Sequence, residues 1–165
     1  FHESDLFPWS SHPETDVLYS DESVAFVHDG CEAFRAEKVE FISRSSVALE
    51  NLRVCGEKNQ VDLNCGRCEK CVRTMTSLYA CRALNKAHTF AEPLTSALVR
   101  KQIIYDDSIV AFVRENIALL ERHSLGHSDI CEEWRSVLRR SRLENEIRRK
   151  LYKFRRRLGL SRFKC

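Results

Sequence analysis

Asn64-Cys65-Gly66-Arg67-Cys68-Glu69-Lys70-Cys71, with Cys55 upstream across nine residues, is the stretch on which the reading of this chain turns. Zinc takes four thiolates in a tetrahedron with bonds of about 2.3 Å. The spacing C-x9-C-x2-C-x2-C supplies four sulfurs that tight local turns can bring to one point. Cys65 and Cys68 form a close pair across Gly66, a residue free to take backbone angles closed to others. Cys68 and Cys71 stand three apart, which one helical turn brings to a common side. Cys55 closes the set across a polar loop. Four thiolates around a dication leave an excess of negative charge, and Arg53, Lys58, Arg67, Lys70 and Arg73 are near enough in sequence to offset it. Cys65, Cys68 and Cys71 also fit the opening of a ferredoxin-type run, but the fourth cysteine and the proline that follows it are missing. Zinc is therefore the expected cofactor. With all four positions filled by protein, no site remains for an activated water, so its role is structural.

The chain holds eight cysteines, and half of them sit in this cluster. The clustering favours metal over disulfides, and the abundance of charged residues suits reduced thiols and a cytoplasmic setting. Cys31, Cys81, Cys131 and Cys165 lack ligand spacing and read as buried or incidental thiols.

Upstream, Val24-Ala25-Phe26-Val27 lies between Asp21-Glu22-Ser23 and His28-Asp29-Gly30 and predicts a short buried strand. Phe34, Lys38, Phe41 and Ile42 share a helical face and predict a helix over 33–44. A strand followed by a helix is α/β grammar. Downstream, Cys71, Val72, Met75, Leu78 and Tyr79 predict a helix with one apolar stripe, stopping at Asn85. Asp106 or Asp107 caps a helix with the stripe Ile109, Val110, Val113, Ile117 and Leu120, punctuated by Gly126. Ser128 or Asp129 then caps a longer helix, whose stripe runs through Ile130, Trp134, Val137, Leu138, Ile147, Leu151 and Phe154 towards Gly159. At 165 residues and 43% apolar content, the chain can bury one real core and a small module beside it. The expected organisation is a mostly α chain in three parts. Residues 1–54 form an α/β portion, 55–86 a four-cysteine zinc module with its helix, and 87–165 a helical extension with a basic tail.

Charge divides the chain unevenly. Phe1 to Trp134 carries 14 Lys and Arg against 22 Asp and Glu, whereas Arg135 to Cys165 carries 13 against 2. Such a tail implies either a solvated basic helix or an anionic partner, which could be RNA, a phospholipid surface or the acidic body of its own protein. Its apolar stripe implies that the tail is docked or paired along one face. No run approaches the length of a transmembrane span, and the N-terminus has no signal-peptide character.

The motif Asn64 to Cys71, preceded by Cys55, resembles the zinc-binding C-terminal region of 7-cyano-7-deazaguanine synthase, a member of the PP-loop ATP pyrophosphatases. Upstream, Val24 to Val27, His28-Asp29-Gly30 and Phe34-Arg35-Ala36-Glu37-Lys38-Val39 resemble that family's strand, loop and threonine-lysine-x-glutamate helix start. Arg35 stands at its lysine and Glu37 at its glutamate. Asp5 to Pro13 is similar to a segment of uncharacterised relatives of the synthase. The likeness covers about residues 5–85. It implies that this chain is the C-terminal part of a PP-loop, adenine nucleotide alpha hydrolase-like fold, whose N-terminal region would be its partner, together with further copies of the chain in a homo-oligomer. The intact parent would use ATP and Mg to adenylate a carboxylate before ammonia attacks. The family's serine-glycine-glycine-x-aspartate-serine loop is absent from residues 1–165, so adenylation is not expected of this chain alone. His12, Asp16, Arg35 and Glu37 are the candidate substrate- or phosphate-binding residues, and no catalytic residue is assigned. An alternative reading makes the chain a non-enzymatic zinc module whose basic helix holds RNA or another polyanion.

Overall fold

The helix that follows the cysteines is the axis of the fold. The computed structural model describes residues 12–56, 63–104, 106–140 and 142–157. Among them the α-helices run in the order α1 (Pro13–Asp16), α2 (Arg35–Ile42), α3 (Ser46–Glu50), α4 (Glu69–Ala80), α5 (Ser96–Arg100), α6 (Asp107–Arg122), α7 (Asp129–Arg139) and α8 (Arg142–Arg157). α4 packs on α2 and α6, α6 also on α2 and α7, and α7 on α5. The described residues are mostly helical and hold no β-strand, the one strand-like pairing being an isolated bridge between Asn64 and Phe90. No helix among them is long and apolar enough to cross a membrane.

α4 is buried on nearly every side, not along one stripe. Cys71, Val72, Met75 and Leu78 are fully buried, and so are Thr74, Thr76 and Ser77. These hydroxyls avoid an unpaired burial by donating one turn back, Thr74 to the Lys70 carbonyl at 2.8 Å, Thr76 to Val72 at 2.8 Å and Ser77 to Arg73 at 3.3 Å. Neighbouring helices then bond to the same groups. Ser77 also reaches Asn116 Oδ1 of α6 at 2.6 Å, and the Trp134 indole of α7 donates to Thr76 Oγ1 at 2.9 Å. Trp134, Val137, Val113, Leu120 and Val99 complete this core, while Val39, Leu49, Leu78, Ala83 and Ala87 form a second cluster on the side of α2 and α3.

The helix starts follow the predicted chemistry. Asp106 accepts from Ile109 N at 2.9 Å and Ser128 from Cys131 N at 3.3 Å. Each such cap is worth about 1 kcal/mol. The stops differ. α4 ends at Ala80 and the chain turns through Arg82 at φ +55°, ahead of Asn85, while α6 ends through Ser124 at φ +60°, ahead of Gly126.

Other expectations are corrected. Among the described residues Val24 to Val27 forms no strand, and Val27 is 82% exposed. Asp21 is the reason, because its carboxylate accepts from Ser23 N and Val24 N at 2.7 and 2.8 Å and folds the segment back locally. Phe26 closes this loop against Tyr19, with ring centroids 6.1 Å apart. In α2, Ala36 and Val39 face inward while Phe41 is 76% exposed, so the buried face is not the one predicted. The single long C-terminal helix is two helices, broken where Arg140 adopts φ −65° and ψ 135°. Arg140 is held there by donating to the Gln102 and Arg100 carbonyls at 2.9 and 2.6 Å, which caps the end of α5. Ile147, Leu151 and Phe154 are exposed instead of docked. Residues 5–11, Lys58, Gly159 and Cys165 lie outside the described residues.

Candidate metal centre

Cys55, Cys65, Cys68 and Cys71 converge, with all four sulfurs within 4.8 Å of one another. Three separations are resolved individually: Cys55 to Cys68 at 3.9 Å, Cys65 to Cys71 at 3.8 Å and Cys68 to Cys71 at 3.4 Å. Four sulfurs at about 2.3 Å from a tetrahedral ion stand about 3.8 Å apart. The cluster therefore has the size of a single-ion site. Cys55, Cys65 and Cys71 are buried and Cys68 half-buried, and none is in a disulfide.

Local sequence explains the convergence. Cys68 is the N-cap of α4, and Cys71 lies in its first turn. Both sulfurs are thus at the positive end of the helix dipole, which favours thiolates. The turn from Cys65 to Cys68 aims two backbone amides at Cys65 Sγ, from Arg67 at 3.4 Å and Cys68 at 3.3 Å. Near the cluster, Arg67 pairs with Glu92 at 3.5 Å, and Arg73 with Glu69 at 3.3 Å while stacking on Phe112. The Cys71 thiol is held well above the usual thiol range by its hydrogen bond with Cys68 and by burial. A cation at the centre would invert this, since metal-bound thiols lose their protons.

Gly66 fits the turn in the way its spacing suggested. It has φ +72°, and a Cβ there would stand 2.6 Å from the Glu92 nitrogen. Gly66→Ala is therefore expected to lower stability by about 1–3 kcal/mol through backbone strain alone, and to weaken metal retention with it. Urea denaturation with and without a chelator would read both, and an unchanged midpoint in both would refute this account.

Asn64 is the functional residue that sequence reasoning passed over. It is fully buried, and its Oδ1 accepts from Val54 N at 2.8 Å and Cys55 N at 3.1 Å. Its Nδ2 donates to Leu52 O at 2.7 Å and Thr89 Oγ1 at 3.0 Å. Its backbone bonds Thr89 O and Ala91 N, each at 3.0 Å. One side chain thus holds the Cys55 strand of chain against the Cys65 turn. The only signal in the sequence was its place beside Cys65.

The other candidates lie elsewhere. His12 caps α1 and its backbone nitrogen donates to Asp16 at 3.0 Å, while Asp16 meets His28 Nδ1 at 2.6 Å. Arg35 and Glu37 share the first turn of α2. Glu37 accepts from Phe34 N at 2.8 Å and so caps its own helix. It also lines an open cleft of about 920 Å³ between α2 and α6, with Phe34, Ala111, Glu115 and Ala118. Arg35 donates to Thr74 Oγ1, and its guanidinium is drawn down to about 10 by burial and then by Arg73, against the pull of Glu69 and Glu115. Arg35 is thus built into the α2–α4 contact. The structure brings His12 to Asp16 and sets Arg35 beside α4. The chain matches no family model, no curated protein and no solved structure.

Proposed function

We propose that the four cysteines hold one zinc ion as a structural staple, and that the chain is the zinc-bearing portion of an ATP-dependent ligase akin to 7-cyano-7-deazaguanine synthase. The observation that carries this reading is the convergence of Cys55 with Cys65, Cys68 and Cys71 in the very motif that bears the resemblance. Sulfur softness and near-tetrahedral spacing favour zinc over hard cations. Zinc bound there supplies folding free energy and no open coordination position. The residues around it do the positioning: Asn64 sets Cys55, Gly66 permits the turn, and the start of α4 orients Cys68 and Cys71.

In the intact ligase, adenylation would belong to a glycine-rich phosphate loop supplied from outside residues 1–165. Arg35 is engaged with Thr74, and one guanidinium does not replace a nest of amides at a helix N-terminus. Isothermal calorimetry of this chain with Mg-ATP is accordingly expected to show no binding at micromolar concentrations. The coding sequence upstream of Phe1 is expected to specify serine-glycine-glycine-x-aspartate-serine. Micromolar ATP affinity in this chain would overturn the placing of the nucleotide site outside residues 1–165, and an upstream frame without that loop would overturn the ligase reading, either result leaving the metal centre intact.

A further inference from the structure

We propose that α8 is an interfacial helix that lays its apolar stripe on an anionic lipid surface. Leu143, Ile147, Leu151 and Phe154 recur at the spacing of one helix face, and they are 68%, 50%, 52% and 60% exposed. A helix that served only the core would turn this stripe inward. α8 does the reverse. Asn145 is buried, Arg148 and Tyr152 are half-buried, and these three mark a different side of the helix from the stripe. The less exposed side of the helix is thus polar, and its hydrophobic side faces outward.

The charges on α8 select the occupant. Arg142 to Arg157 contains eight Lys and Arg against two Glu. Both acids are already engaged, Glu144 with Arg148 at 3.0 Å and Glu146 with Lys150 at 3.2 Å, so neither stands as a free negative charge against an anion. A second copy of α8 would bring like charge against like charge. RNA would use the cations but give Leu143, Ile147 and Leu151 nothing to bury against, and among the described residues of α8 Phe154 is the one exposed ring beside them. A bilayer interface meets both demands: acyl chains take the stripe while phosphate and carboxylate headgroups take the basic margins. The N-terminal end of the helix is anchored to the rest of the chain by Arg140, which reaches the Gln102 and Arg100 carbonyls.

The test is flotation of the full chain with phosphatidylcholine vesicles, and with vesicles of phosphatidylcholine and phosphatidylserine at roughly three to one. Parallel samples carry Ile147→Asp with Leu151→Asp, whose exposed positions leave the fold in place, as thermal melting would verify. Wild type is expected to float only with the anionic vesicles, less so at higher salt, and the double variant to lose at least about tenfold in partitioning. Absence of wild-type binding would overturn the proposal. So would equal binding by the double variant, retention on generic RNA in preference to vesicles, or a stripe-dependent dimer that ignores lipid.

Discussion

Cys68→Ser is expected to abolish cooperative folding under conditions where the wild type melts sharply. Zinc bound by structural cysteine sites supplies on the order of 10 kcal/mol or more in small modules, while a whole domain is stable by only about 5–15 kcal/mol. Loss of one thiolate forfeits much of the first figure and leaves the sulfurs of Cys55, Cys65 and Cys71, all within the core cluster, crowding a weakened site. The wild-type protein should carry one zinc per chain by elemental analysis, and Cys68→Ser far less, with no thermal transition by circular dichroism. Because zinc displaces thiol protons, wild-type affinity should climb with pH and collapse as pH falls, in competition against a chromophoric chelator. Iron with acid-labile sulfide in the purified protein would sink the zinc assignment. A sharp transition in metal-free Cys68→Ser would sink the structural role.

Asn64→Ala should be nearly as damaging, although it removes no ligand. The side chain makes four hydrogen bonds, and truncation takes this partner from Val54 N, Cys55 N, Leu52 O and Thr89 Oγ1, the bonds to Cys55 and Thr89 being buried and the other two partly so. Each buried group left unpaired costs about 1–3 kcal/mol, so a loss of several kcal/mol follows even if some groups find water. Cys55 would also be freed from its register with Cys65, so zinc affinity should fall together with stability. Chelator competition and urea denaturation measure the two separately. A variant with reduced stability but wild-type zinc affinity would show that Asn64 supports the fold without positioning the site.

The cysteine cluster was legible because ligand spacing is a local property: Cys65, Cys68 and Cys71 need only a turn and the start of a helix, which Gly66 and the stripe of α4 announce. The caps at Asp106 and Ser128 were legible for the same reason. What escaped was decided by tertiary partners. Val24 to Val27 has the composition of a strand, but a strand needs a neighbour, and the segment's partners are the local residues Asp21, Ser20 and Tyr19. The full burial of α4 was hidden because Thr74, Thr76 and Ser77 look like an exposed face until their hydroxyls are seen to bond back to the preceding turn. Asn64 carries no periodicity at all, and its role exists only once residues 52–55 and 89–91 lie against it. Arg140 ends α7 through carbonyls nearly forty residues away, at Gln102 and Arg100, which no reading of its neighbours could anticipate.

The clip made by Asn64 and the cysteines also fixes how the chain is threaded. Because Cys55 is tied to Cys65 and Cys71 by the cluster and to Asn64 by the amide, the covalent path between positions 55 and 64 is one of three links joining the same two points. The connection is redundant. A polypeptide cut once between those positions should behave as a two-piece molecule that stays assembled while metal is bound and separates when it is stripped.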